Sequence, residues 1–246
     1  MMDHSILKKL AAWSIHIFTA SGIFLGFLAL LASINNDFTL AILFLGLALF
    51  VDGVDGTLAR WLDVEKVTPN IDGSILDIII DYFNYVLVPT FMIHWFGFVG
   101  EKYSIPICFL ILLVSCYTFA NKQIKTKDYY FSGFPALWNL VVLYFYILGT
   151  SELTNILVVL ALSVFTFIPT KYVHPLRVVS LRKTNIMMTC FWCGTTVYLL
   201  FKDSVIKTRL ESSIGDLVTI DSFIFYTWIL INLYFFYITL RRSFWS

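Results

Sequence analysis

Charge is what this 246-residue chain has least of. Asp, Glu, Lys and Arg make up 13% of it, about half of the roughly 25% usual in soluble domains. A water-soluble globule with a charged surface is thereby excluded. Cysteine is scarce too: Cys108, Cys116, Cys190 and Cys193 all fall within apolar runs. That pattern excludes a disulfide framework and a zinc site, and the Cys190/Cys193 pair reads as core packing. No repeat, low-complexity tract or Pro/Gly-rich linker divides the chain, so residues 1–246 read as a single polytopic membrane domain. The net charge of +1 carries no basic surface for nucleic acid, and no nucleic-acid partner is expected.

Apolar residues fill the deficit, at 59% of positions. Windows of about 20 such residues, long enough at about 1.5 Å per residue for a hydrocarbon core of about 30 Å, lie near 12–33, 38–60, 71–96, 104–120, 132–149, 153–172, 185–201 and 220–240. The first follows Lys8 and Lys9 as a signal peptide would. It is too long for an h-region and no A-x-A site follows, so it reads as a retained span. The expected fold is an all-α integral membrane protein of about eight transmembrane helices. Basic residues set its orientation. With both termini inside, only Lys102, Lys202, Lys207 and Arg209 of the 17 Lys and Arg fall outside. That predicts an N-in, C-in chain.

Against this background the stretch Val51 to Asp81, "VDGVDGTLARWLDVEKVTPNIDGSILDIIID", is out of place. Each charge at mid-bilayer costs roughly 2.5–3.5 kcal/mol on insertion scales. Asp52 and Asp55 lie three apart on one helix face, Asp77 and Asp81 four apart on another, so each pair can point at one site. Arg60 supplies only one compensating charge. Hard divalent cations, which take carboxylate oxygens, best meet the remainder. Gly53, Gly56, Gly73 and Ala59 interleave with the acids. Small residues there serve close helix packing or let a polar ligand reach the backbone. The second reading is preferred beside carboxylates.

Asp52, Asp55-Gly56, Ala59-Arg60, Gly73, Asp77 and Asp81 follow in order the pattern D-x-x-D-G-x-x-A-R, spacer, G-x-x-x-D-x-x-x-D. This resembles the signature of the CDP-alcohol phosphotransferase family. The 12-residue spacer from Trp61 to Asp72 exceeds the eight usual there and is similar to one branch, the bacterial phosphatidylcholine synthases. "HIFTASG" at 16–22, "DYFNYVLVP" at 81–89, "FSGFPALWN" at 131–139 and "HPLRVVSLR" at 174–182 extend the likeness, and eight spans suit that branch.

The resemblance implies a metal-dependent transferase that joins CDP-diacylglycerol to choline and releases CMP, multi-pass in a bacterial inner membrane, its site facing the cytoplasm. It implies two divalent cations, Mn2+ or Mg2+, on Asp52, Asp55, Asp77 and Asp81, with Asp81 also the general base. Asp52, Gly56, Ala59, Arg60 and Gly73 would meet the nucleotide, Arg60 touching phosphate or locking helices. Membrane lipids are the other partners, and a homodimer follows by family analogy. For choline, whose quaternary ammonium favours aromatic faces, position singles out Tyr82, Tyr85, Trp138 and Asn139, each equally open to plain packing.

Asp63 and Asp72 lie outside the signature and read as loop solvation or helix capping. His16, on one face with Trp13, Thr19 and Gly22, reads either as a nucleotide contact or as a bond to a neighbouring helix. Arg177, Arg182 and Lys183 read as positive-inside bias ahead of the alternative, contact with lipid phosphate. Two alternatives stay open. Serine, inositol or a glycerol phosphate could replace choline, although a phosphorylated acceptor needs more basic residues than the spans offer. A cation transporter could also use intramembrane acids, but these acids have no counterpart in later spans.

Overall fold

The computed structural model describes residues 4–124, 126, 129–175, 178, 181–202 and 220–244; Lys125, Lys127, Arg177, Lys207 and Arg209, which entered the orientation argument, lie outside them. Helix α1 (His4–Ile34) turns at Asn35–Asp37 into α2 (Phe38–Trp61). Asn36 takes a positive φ of 59°, and the Asp37 carboxylate accepts the Leu40 N–H at 2.9 Å, a cap for a donor the first turn leaves unmet. The two helices pack along their length, with Ala29 and Ala32 of α1 and Ala41 and Ala48 of α2 buried to 4% exposure or less. Small side chains at such a seam let the backbones close up.

The connection to the next span holds one helical turn, α3 (Val64–Val67). The third span, Gly73–Trp95, is continuous but not uniform: α4 (Gly73–Tyr82), a π-helical turn (Phe83–Leu87), then α5 (Val88–Trp95). Pro89 explains the π turn. It has no N–H for the Tyr85 carbonyl, and the Val88 N–H bonds back to Phe83 O instead. Helix α6 (Glu101–Ala120) follows.

Two of the eight expected windows, 132–149 and 153–172, hold apolar helices shorter than the windows themselves. Helix α7 (Trp138–Leu148) has 11 residues and α8 (Glu152–Phe165) has 14, about 16 and 21 Å at 1.5 Å per residue. Neither crosses about 30 Å alone. The chain instead enters the bundle as non-helical backbone. Gly133 to Ala136 are buried, Gly133 and Ala136 adopt φ of +85° and +56°, and Pro135 stands between them, so the helix starts only at Trp138. Non-helical backbone inside an apolar bundle must find partners within the protein. Gly133 N–H donates to Thr170 O at 2.8 Å and Phe134 N–H to Phe165 O at 3.0 Å. Strands β1 (Tyr130–Ser132) and β2 (Lys171–Val173) pair antiparallel, Phe131 opposite Tyr172, and close the base of this hairpin. The remaining six segments are each long and apolar enough to cross a membrane.

Helices α9 (Arg182–Phe201) and α10 (Ile220–Phe244) form the last pair. Trp228 Nε1 donates to Thr196 Oγ1 at 2.9 Å and Tyr234 Oη to Asn185 Oδ1 at 2.8 Å, so buried polar groups rather than apolar area alone align them. Cys190 and Cys193 are exposed on α9, which corrects their reading as core residues. In helices whose outer face meets lipid, apolarity does not distinguish inside from outside.

Gly133 makes the fold testable. An added Cβ would lie 2.5 Å from Thr166 O, at a φ that costs a non-glycine residue about 1 kcal/mol or more, whereas at Gly194 it would meet nothing within 4 Å. Gly133→Ala should therefore lower the thermal midpoint in detergent, read by size-exclusion chromatography after heating, while Gly194→Ala leaves it nearly unchanged.

Candidate active site

Asp52 and Asp55 ride on the last turns of α2, Asp77 and Asp81 on α4. Asp72 sets where α4 begins: its Oδ1 accepts the Ser74 and Ile75 N–H groups at 2.9 and 3.2 Å, the capping role expected for it. The spacer is anchored as well. Val64 buries against Ala12 and Ile15 of α1, and His16 Nε2 shares a 2.9 Å hydrogen bond with Thr68 Oγ1. Of the two readings of His16, the bond to a neighbouring segment is the one present. Asp63 pairs with Lys66 at 3.2 Å on the exposed side of α3.

These constraints bring one carboxylate oxygen each of Asp52, Asp55 and Asp77 within 4.8 Å of one another. Asp55 is 5% exposed, and the other two are half-buried. Asp81, one turn further along α4 and half-buried, stands outside this group. The expected set of four acids thus divides into a cluster of three and one neighbour. The nearby bases whose bonds are described turn elsewhere: Arg60 is exposed and donates to Thr57 Oγ1 at 3.2 Å, Lys66 to Asp63. Three hard oxygen donors converging in an apolar surround fit a hard divalent cation such as Mg2+ or Mn2+.

The other expected site residues separate by position. Gly73 is exposed and a Cβ there would meet nothing within 4 Å, so space for a ligand exists beside it. Gly56 is half-buried. Ala59 packs against the Ala12, Ile15 and Val64 cluster. Tyr85, buried in the π turn, donates its hydroxyl to Asp52 Oδ2 at 2.7 Å, and Asp81 and Asp77 also act on it electrostatically. It therefore orients a carboxylate of the cluster, a role the sequence did not suggest. Tyr82 faces α6, its Oη 3.2 Å from Leu112 O and 3.3 Å from Cys116 Sγ, with its ring edge-on to Phe119. Trp138 is wholly buried, its Nε1 donating to Ser115 Oγ at 2.8 Å, so neither ring face is open to a cation. Both placements favour packing. Asn139 is buried beside it, and its Oδ1 has no hydrogen-bond partner. Sequence reasoning missed Asn84. A polar side chain inside an apolar span, three residues after Asp81, was the available signal.

With this geometry in hand, comparison with known proteins gives a consistent result. The family model for CDP-alcohol phosphatidyltransferase matches residues 15–168. A phosphatidylcholine synthase of Mesorhizobium japonicum is 43% identical over 183 residues, covering 74% of this chain and 68% of that protein. One of Pseudomonas aeruginosa is 42% identical, covering 76% and 78%. Another, of Borreliella burgdorferi, is 38% identical, covering 80% and 84%.

The Tyr85 bond generates its own test. Removing a hydrogen-bond partner of a metal ligand typically costs about 10–100-fold in metal affinity. Tyr85→Phe keeps the buried ring and deletes only the donor to Asp52, so calorimetric titration should show Mn2+ affinity lowered by about that factor.

Proposed function

The chain belongs to the CDP-alcohol phosphatidyltransferase family, and we propose that it transfers the phosphatidyl group of CDP-diacylglycerol to choline, giving phosphatidylcholine and CMP. The observation that carries this reading is the convergence of Asp52, Asp55 and Asp77 within 4.8 Å, inside the signature that such transferases share. The names of the relatives support choline as the acceptor.

Asp52, Asp55 and Asp77 hold the metal, Tyr85 fixing the Asp52 carboxylate. A divalent cation, Mn2+ or Mg2+, one or two in number, supplies charge neutralisation for the pyrophosphate and for departing CMP. The chain's own residues do the rest. Asp81, close to the cluster but outside it, accepts the proton of the choline hydroxyl. The choline oxygen then forms a bond to the phosphorus that carries diacylglycerol, opposite the oxygen that leaves with CMP. Gly73 leaves room for the nucleotide, Gly56 lies on the same signature, and exposed Arg60 reaches its phosphates. The Tyr85 ring and the unpartnered Asn139 Oδ1 are the groups we assign to the trimethylammonium end. Lys and Arg asymmetry supports a site facing the cytoplasm, and the bacterial sources of the relatives support an inner membrane. The homodimer that the family resemblance implies belongs to the same proposal.

Purified protein offered CDP-diacylglycerol with choline, serine, inositol or glycerol 3-phosphate, one at a time, tests the acceptor. CMP release should be fastest with choline, vanish in excess chelator and return with Mn2+ or Mg2+. Serine outcompeting choline would replace the acceptor, and full activity in chelator would remove the metal from the mechanism.

A further inference from the structure

Two consecutive residues of the π turn tie together the three helices that meet at the acids. Tyr85 reaches α2 through Asp52. Asn84 reaches α1: its Nδ2 donates to Gly22 O at 3.0 Å across a sequence separation of 62 residues. Asn84 is 2% exposed, and its Oδ1 has no hydrogen-bond partner. That oxygen sits in a notch. A Cβ added to Gly26 would come within 2.0 Å of it and within 2.8 Å of the Phe83 ring. Gly22, one turn earlier, faces both acid-bearing helices. A Cβ there would lie 3.0 Å from Ile80 Cγ2 and 4.0 Å from Val51 Cγ1, and these residues directly precede Asp81 and Asp52.

Stability alone does not account for an asparagine at this position. A buried amide with one oxygen left unmet carries a desolvation penalty that an apolar side chain of similar size would avoid. What the amide adds is direction. A π turn has one extra residue per loop, so the rotational setting of what it carries is not fixed by the helix ladder alone. The bond from Asn84 to a carbonyl of α1 fixes that setting, and the next residue is the one that must meet Asp52.

We propose that Asn84, seated in the Gly22–Gly26 notch of α1, is a positioning residue for the carboxylate cluster. It holds the π turn at the rotation from which Tyr85 reaches Asp52, and so sets how closely the α2 and α4 acids converge. The inference rests on the metal-site part of the proposed function and is independent of which alcohol is the acceptor.

The test uses the full chain in detergent, with Mn2+ affinity read by electron paramagnetic resonance and the thermal midpoint recorded beside it. Asn84→Ser removes the reach to Gly22 without adding bulk, Gly26→Ala pushes on Asn84 from the other side, and Gly46→Ala, where a Cβ meets nothing within 4 Å, is the control. Asn84→Ser and Gly26→Ala should each weaken Mn2+ binding about tenfold or more, as loss of an outer support does, and Gly46→Ala should stay within about twofold of the parent. Excess Mn2+ should recover turnover in Asn84→Ser, a rescue that a merely structural role would not give. If Gly26→Ala does not extract as folded protein, Asn84→Ser decides. Parent-like Mn2+ affinity in Asn84→Ser would overturn the proposal, whatever its thermal midpoint. A parent that binds no Mn2+ would instead overturn the metal site itself, and the positioning role with it.

Discussion

Mutual repulsion of carboxylates in an apolar bundle is the constraint on which the rest of the structure depends. Like charges about 5 Å apart at an effective dielectric of about 20 repel by about 3 kcal/mol per pair. Asp52, Asp55 and Asp77 are held within 4.8 Å of one another, and Asp55 is almost fully buried. Nothing in apolar packing favours that arrangement. It persists because each acid sits on a helix whose position is fixed by contacts elsewhere: the α1–α2 alanine seam, the Asp72 cap and the Asn84 bond. A divalent cation bound there would offset that repulsion.

The same economy governs the backbone. Regular helices would satisfy their own hydrogen bonds, yet the chain departs from them at the π turn and at the non-helical run Gly133 to Ala136. Each departure carries polar backbone into the bundle and needs partners there. Each also brings a side chain to a place a straight helix would not. The π turn delivers Tyr85 to Asp52, and the non-helical run delivers Trp138 to Ser115 and leaves Asn139 buried next to it.

The acids of the candidate site were conspicuous in the sequence because charge in an apolar run is costly. Their helical spacing gave the pairing, and Asp72 was readable as a cap because it immediately precedes Gly73 and the apolar run. The division into three clustered acids and Asp81 was not readable, since spacing along one helix says nothing about distance to another. Helices α7 and α8 were overestimated for a related reason. Phe134, Leu137 and their neighbours are as apolar as a spanning helix requires, and only Gly133 and Pro135 hint at the non-helical run. Tyr82 and Tyr85 looked equivalent beside Asp81. The π turn that begins between them rotates less per residue than an α-helix would, and one goes to α6 and the other to Asp52.

The central claim is a division of labour: Asp52, Asp55 and Asp77 hold a cation, and Asp81 moves a proton. Mn2+ binding and single-turnover CMP release, measured together on Asp55→Asn and Asp81→Asn, test it most directly. Asp55→Asn should lose Mn2+ binding. Asp81→Asn should bind Mn2+ as the parent does and lose about 10²–10⁴-fold in turnover, the range of general-base catalysis. Parent-like Mn2+ binding in Asp55→Asn, or parent-like turnover in Asp81→Asn, would contradict the account.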